Sequence, residues 1–324
     1  MKQIHNCKTY IFGLFCLAIS FTALSQNYPN KPVKIIVPFA SGGPADSYAR
    51  FMAQKLQDEF QQSFIVENKP GAGSVIGTDA AAKSPADGYT LLMMSNAQTV
   101  NESLIPNKPF NLVKDFVAIS PINYSDLILV VHPSLPVQNL KELIQLAKSK
   151  PDILNFASSG NGTPYHMAGE LFNAMAGVKI THIPYKGSSG ARTDLIGGQV
   201  NMMFDAITSM NEFVKNNKVR PIATTGRVRS WIMPNVPTVE EAGVPKFETT
   251  IWLGIMAPKG TSNEVVMKLN TTIQKIISRQ EVKDAWAVQG ALPMIMNPTE
   301  FSRYVEADVN KWANVVKSAQ IKPD

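Results

Sequence analysis

Cysteine is nearly missing from this sequence. Of 324 residues two are cysteine, Cys7 and Cys16, and both fall within the first 25 positions. Once that stretch is removed, disulfides, thiol nucleophiles and cysteine-ligated metals are excluded together. Histidine is scarce as well. His5 lies in the same stretch, and His132, His166 and His182 are scattered, a poor set for zinc. Enzyme signatures are absent: no GxxxxGKS or GxxxxGKT phosphate loop, no GxSxG nucleophile elbow, no HExxH. Gly71-Ala72-Gly73-Ser74-Val75-Ile76-Gly77 is one residue longer than the dinucleotide fingerprint and follows Asn68-Lys69-Pro70 rather than a strand. A triad of Ser158, His166 and Asp205 can be imagined, but any chain of this length contains such trios.

Charge of one sign does not accumulate either. The 31 Lys and Arg exceed the 25 Asp and Glu by six and are spread along the chain. That is a solvated basic surface, not the clustered footprint of a nucleic-acid binder. Charged residues make up 17% and hydrophobic ones 44%, which excludes a disordered chain and leaves ample material for cores. At about 150 residues per domain, the length suggests two domains.

One long apolar run is present. Lys2 and Lys8 flank a segment without acidic residues, Tyr10 to Phe21 reads YIFGLFCLAISF, and Ala23 and Ser25 are small residues at A-x-S spacing. These are the three regions of a secretory signal peptide, expected to span residues 1–25. The run is too short for a helix crossing a hydrocarbon core of ~30 Å. Phe15 precedes Cys16 where a lipid-anchored protein would carry a small residue, so no lipid anchor is expected. Loss of Lys2 and Lys8 lowers the balance from +6 to +4. No other segment reaches 18 apolar residues, and a soluble periplasmic product is expected.

Downstream, short apolar runs alternate with amphipathic stretches of helical length. Strands are expected at Val33–Phe39, Phe64–Glu67 and Tyr89–Ser95, with helices at Ala45–Phe60 and Val75–Lys83 between them. That βαβαβ order argues for a parallel sheet covered by helices. A second series follows, with strands at Leu127–His132, Leu154–Ser158, Lys179–Tyr185, Val200–Ala206 and Val219–Thr225. Its helices are expected at Leu140–Lys148, Thr163–Ala176 and Ser188–Gly197. A Pro-rich link after Arg229 leads to a strand at Ile251–Ala257 and helices near Ser262–Ser278 and Pro298–Ala319.

Two loops stand out. Pro38-Phe39-Ala40-Ser41-Gly42-Gly43-Pro44-Ala45-Asp46 follows the first strand and opens the first helix. Ala157-Ser158-Ser159-Gly160-Asn161-Gly162-Thr163-Pro164-Tyr165-His166 does the same in the second series, with Thr163 suited to the N-cap and Pro164 to the first helical position. Glycines let backbone N–H groups approach a ligand, and helix N-termini bind anions without Lys or Arg. Either loop alone is equally readable as an empty glycine-rich turn; a facing pair would hold both ends of a small dicarboxylate. Asp46 and Arg50, at i and i+4, form a helix ion pair, or Asp46 fixes the loop or receives an ammonium group. Asp205 ends a strand, as a ligand contact or a turn residue, and Tyr185 is placed to wall the cleft.

Together these segments resemble the Bug family of extracytoplasmic solute receptors, the substrate-binding proteins of tripartite tricarboxylate transporters. The likeness rests on Pro38 to Arg50 (P-F-x-x-G-G-x-x-D-x-x-x-R), Glu67 to Gly73, Asp87 to Leu92, Ser159 to Thr163, Pro184 to Gly187 and Pro237 to Gly243. It covers essentially all of the chain after residue 25. Ser74 stands where the family usually has a further glycine, outside the expected cleft. The resemblance implies an α/β, two-lobed type II periplasmic-binding-protein fold with mixed sheets and flanking helices. The expected lobes are 26–123 with 229–324, and 124–228, the C-terminal third returning to the first lobe. It implies a small carboxylate ligand (a di- or tricarboxylate, an aromatic acid or an amino acid). By motif position the binding residues would be Phe39, Ser41, Gly42, Gly43, Asp46 and, after the third strand, Asn96. From the second lobe they would be Ser158, Ser159, Gly160, Thr163, Tyr185 and Asp205. No enzymatic activity, metal, cofactor or nucleic-acid partner is expected. The chain would act as a monomer that hands its ligand to membrane transporter subunits, or as a ligand-sensing module signalling to a membrane kinase.

Overall fold

A computed structural model describes residues 28–151 and 153–322. The expected signal peptide at 1–25 lies outside them. The chain opens with β1 (Val33–Val37), α1 (Pro44–Phe60), β2 (Phe64–Asn68), a short 3₁₀ turn (Ala72–Ser74), α2 (Val75–Ala82) and β3 (Thr90–Ser95). Strands β2 and β3 flank β1, both parallel to it, as the βαβαβ pattern requires. The strands read as unbroken apolar runs because both faces are covered: Ile35 and Leu91 join one core, their neighbours Ile36 and Leu92 another. Pro44 sits at the first turn of α1, where its missing N–H costs nothing, and Tyr48, Ala49, Met52, Ala53 and Leu56 line the buried stripe.

Next come α3 (Asn96–Leu104), α4 (Leu112–Asp115) and β4 (Phe116–Val131), a strand of 16 residues. Its first part pairs antiparallel with β9 (Thr250–Pro258); from Leu127 it pairs with β7 (Met202–Ala206) and β8 (Arg220–Thr224). Only the second part was legible. Pro121 reads as a strand breaker, and register shifts between Ala118 and Ser120 and between Pro121 and Asn123 absorb it.

The second series holds α5 (Leu140–Ser149), β5 (Asn155–Ser158), α6 (Pro164–Ala176), β6 (Thr181–Pro184), α7 (Ser188–Ile196) and α8 (Ile207–Lys215). Strand β5 lies between β6 and β7, parallel to both. Here too the pleat divides the side chains: Leu127, Leu129 and Val131 face one core, Ile128 and Val130 the other.

After β9 the chain adds α9 (Asn263–Ile277), α10 (Gln280–Ala287), β10 (Ala291–Pro293) and α11 (Pro298–Ser318). Helix α11 returns to the first half, where Phe301 and Val305 share a core with Ile36, Leu92 and Trp252. Strands β4 and β9 are the shared spine, and the strand order runs β2-β1-β3-β9-β4-β7-β5-β6.

Candidate functional site

Both glycine-rich loops come from the carboxyl ends of strands that lie in different halves of this sheet. Gly42 has φ of 83°, a left-handed turn that favours glycine, and its N–H donates to Asp46 Oδ2 at 3.0 Å. Asp46 is buried, with both oxygens occupied: Arg50 Nε donates to Oδ2 at 3.1 Å, and Asn68 Nδ2 to Oδ1 at 2.9 Å. These bonds hold its carboxyl below the ordinary range although burial pushes the other way. Of its open roles, the geometry matches the loop brace. Asn68 also donates to the Phe39 carbonyl, tying β2 to the loop.

The second loop is braced similarly. Ser158 Oγ accepts from Gly160 N–H at 3.0 Å and lies 2.6 Å from His182 Nε2. Gly160 has φ of 123°, and its carbonyl accepts the Thr163 hydroxyl at 2.6 Å. Thr163 thus occupies the N-cap position of α6 but turns its hydroxyl back into the loop. His166 Nδ1 accepts from Gly162 N–H at 3.1 Å, and burial with His182 stacked 4.1 Å away drops its pKa to about 3. Ser158, His166 and Asp205 therefore form no triad: Ser158 meets His182, and Asp205 meets Arg192.

The loops meet at a small cavity of about 20 Å³, bounded by Phe39, Gly43 and Pro44 on one side and Ser159, Pro164, Tyr165 and Ser188 on the other, with Ser95 and Ile251 completing it. Pro44, Pro164 and Ser188 are the first residues of α1, α6 and α7. The N-caps of those helices, Gly43, Thr163 and Gly187, make no side-chain capping bond. Three uncapped helix N-termini thus converge on one space, each carrying partial positive charge and free N–H capacity. No Lys or Arg borders the cavity. Phe39 and Ser159 also line a wider adjoining cleft of about 420 Å³, which Tyr185, Lys186, Gly160 and Ser74 help to form. Ser74 was expected to lie outside the cleft; it borders the wide part, with φ of 82°.

The loops also touch each other's half directly. Ser189 Oγ donates to the Ser41 carbonyl at 3.1 Å, and Arg192 Nη2 to the Gly42 carbonyl at 2.7 Å. Arg192 Nε lies 3.3 Å from Asp205 Oδ2, in a fully buried carboxyl whose pKa is pushed up to about 6 by burial, against the pull of Arg192. The Tyr165 hydroxyl is buried at the cavity beside the Asp205 carboxyl, and burial keeps it protonated. Tyr185 stands half-buried at the mouth, its hydroxyl donating to Asp194 at 2.6 Å.

Of the twelve residues singled out from the sequence, Phe39, Gly43 and Ser159 border the small cavity, and Gly160 and Tyr185 the wide cleft. Ser41 and Gly42 carry the cross-contacts. Asp46, Ser158, Thr163 and Asp205 stand behind these as braces. Asn96 opens α3 and donates from Nδ2 to the Thr250 carbonyl at 2.9 Å, holding β9. Ser95, Tyr165, Ser188, Arg192 and Ile251 were missed. A third strand-to-helix junction at Pro184-Tyr185-Lys186-Gly187-Ser188 was the available signal for Ser188. Arg192 and Ile251 carry no local signal. Among the described residues no group of three His, Asp or Glu could hold a metal.

Residues 48–321 match the family described as tripartite tricarboxylate transporter family receptor. Protein BugT of Bordetella pertussis is 37% identical over 316 residues, 96% of this chain and 97% of that protein. Among solved structures, R. palustris Rpa4515 with adipate aligns with a TM-score of 0.89 at 34% identity, covering 92% of this chain and all of that one. MatC (Rpa3494) from Rhodopseudomonas palustris with bound malate aligns at 0.85 and 28% identity, over 89% of this chain and all of its own. The mixed α/β, two-lobed binding-protein fold is shared with these neighbours. The match spans nearly all of the described residues, and the chain belongs to the tripartite tricarboxylate transporter receptor family.

Proposed function

We propose that this protein is a periplasmic receptor that captures a small carboxylate between its two lobes and presents it to the membrane subunits of a tripartite transporter. The observation that carries this reading is the convergence of three uncapped helix N-termini on one cavity without Lys or Arg. Such a site favours an anion through main-chain dipoles, with the hydroxyls of Ser95, Ser159, Ser188 and Tyr165 available to orient it. Phe39, Pro44, Pro164 and Ile251 offer apolar surface to a carbon skeleton. Adipate and malate, bound by two solved relatives, make dicarboxylates the first class to test.

We place the lobes at 26–123 with 229–324 and at 124–228, with one amendment. Val239, Val244 and Phe247 pack into the core of the second lobe, so the return to the first belongs near Thr250. The chemistry is capture alone; each lobe supplies donors, and closure follows because the closed form makes contacts that the open form lacks. A thermal-shift screen of dicarboxylates, tricarboxylates, aromatic acids and amino acids tests the reading. Binding to the native state raises the melting temperature by mass action, so a rise with one acid class supports it. A flat response across all four classes would reject it.

A further inference from the structure

Arg192 joins the floor of the second lobe to the glycine loop of the first, beside the Ser189 hydroxyl on the Ser41 carbonyl. Its Nε faces Asp205 Oδ2 at 3.3 Å and donates to the Ser188 carbonyl at 3.2 Å. Its Nη2 donates to Ser188 Oγ at 3.2 Å and, across the gap, to the Gly42 carbonyl at 2.7 Å. Asp205 is fully buried and anchored through Oδ1 by the Ala206 N–H at 2.8 Å. The guanidinium is therefore held in its own lobe by Asp205 and Ser188, while Nη2 also reaches the other lobe.

We infer that Arg192 is a positioning residue for ligand capture, a cross-lobe latch that grips the Gly42 carbonyl and thereby sets the Gly42–Gly43 peptide against the anion site. In a trans peptide the carbonyl and the following N–H point in opposite directions. A cation on the Gly42 oxygen thus leaves the Gly43 N–H turned away from it, on the residue that borders the cavity. The bond also polarises that peptide, which strengthens its donor. Arg192 and Asp205 are neutral as a pair, so the latch adds geometry and closed-state stability rather than long-range attraction. Its cross-lobe bond exists only when the lobes meet. Losing it should speed ligand release and leave association unchanged, because the ligand lands on the open form.

This inference rests on the carboxylate-receptor reading, and the experiment separates the two. Wild type and Arg192→Lys are compared by thermal shift without ligand and by stopped-flow binding of adipate and malate. Lysine keeps the charge opposite Asp205 but cannot also reach Gly42. The expected result is affinity weaker by about tenfold, the loss of one charge-assisted hydrogen bond, carried by the dissociation rate, with the ligand-free melting temperature nearly unchanged. The double variant Arg192→Gln with Asp205→Asn removes the pair as a neutral unit and guards against misfolding of the lysine form; it should show the same loss. Wild-type binding with dissociation unchanged in a folded variant overturns the latch alone. Absence of any carboxylate binding by wild type overturns the latch together with the reading beneath it.

Discussion

A β-carbon on Gly43 would lie 3.0 Å from Ser188 Oγ, across the cavity that both residues border. Gly43→Val should therefore block close approach of the loop and abolish carboxylate binding while the far-off cores stay intact. Calorimetry with adipate is the measurement, and unchanged affinity would remove this loop from the site. Gly73 is a stricter case. It has φ of 58°, and a β-carbon there would come within 2.1 Å of the Asn161 carbonyl in the other lobe. Gly73→Ala should keep the lobes apart, read as a larger radius of gyration with ligand present than wild type shows. These two glycines lie in motifs visible in the sequence. Their opposing surfaces, Ser188 and Asn161, are more than 80 positions distant, so the contacts were not.

Among the elements, the sharpest sequence signals were local chemistry at helix starts. Pro44, Pro164 and Pro298 each mark a first turn. In α11, Asn297 accepts from the Glu300 N–H at 2.9 Å, and Glu300 answers from Oε2 to the Asn297 N–H at 2.9 Å, a reciprocal cap. Asn297→Ala should cost about 1 kcal/mol, seen as a lower urea midpoint with an unchanged slope. Helix α3 escaped because its buried side mixes polar residues with the apolar Ala97, Val100 and Leu104. Gln98 donates to Thr78 at 3.1 Å, Thr99 to Asp308 at 2.6 Å and Asn101 to the Gly73 carbonyl at 2.8 Å. Hydrophobic periodicity reports such a mixed, nine-residue helix only weakly. The Ser95-to-Gln98 cap, both halves of which form, was the clue available. The uncapped starts of α1, α6 and α7 carry the opposite message: a terminus left without a side-chain cap in a buried setting is free for a ligand.

For the whole molecule, shifted carboxyls give stability a pH dependence. Asp126 lies opposite Thr250, where β4 and β9 part between the lobes, and burial with the nearby Glu248 charge pushes its pKa up to about 6. Its folded pKa is above its unfolded one, so its contribution is complete below about pH 4 and is lost as pH rises through about 6. Asp205 acts in the same direction, whereas Asp46, Glu59 and Glu67, whose values are lowered, favour the folded state at higher pH and lose that as pH falls. Asp126→Asn should stabilise the protein by about 2 kcal/mol at pH 8, the gain fading to nothing below about pH 4. Melting temperatures across that range are the check, and a gain equal at all pH values would contradict the assignment. Binding should respond little to salt, changing less than about threefold between ~50 and ~500 mM, because main-chain dipoles and not Lys or Arg line the site. A steep slope would implicate Lys186 at the mouth of the cleft.

The sequence by itself determined the units: apolar runs both of whose faces need cover, helices opened by proline, and two glycine loops at strand ends. Each follows from interactions within about ten residues, which is the reach of turn chemistry and periodicity. Only the tertiary structure decided how those units face one another. That a third helix start at Ser188 joins the cavity and that Arg192 spans it depend on halves brought together by the pairing of β4 with β9 and β7, whereas Asp46 and Ser158 take their braces from the neighbouring strands β2 and β6. Those contacts are set by packing across the whole chain, and no short stretch of residues encodes them.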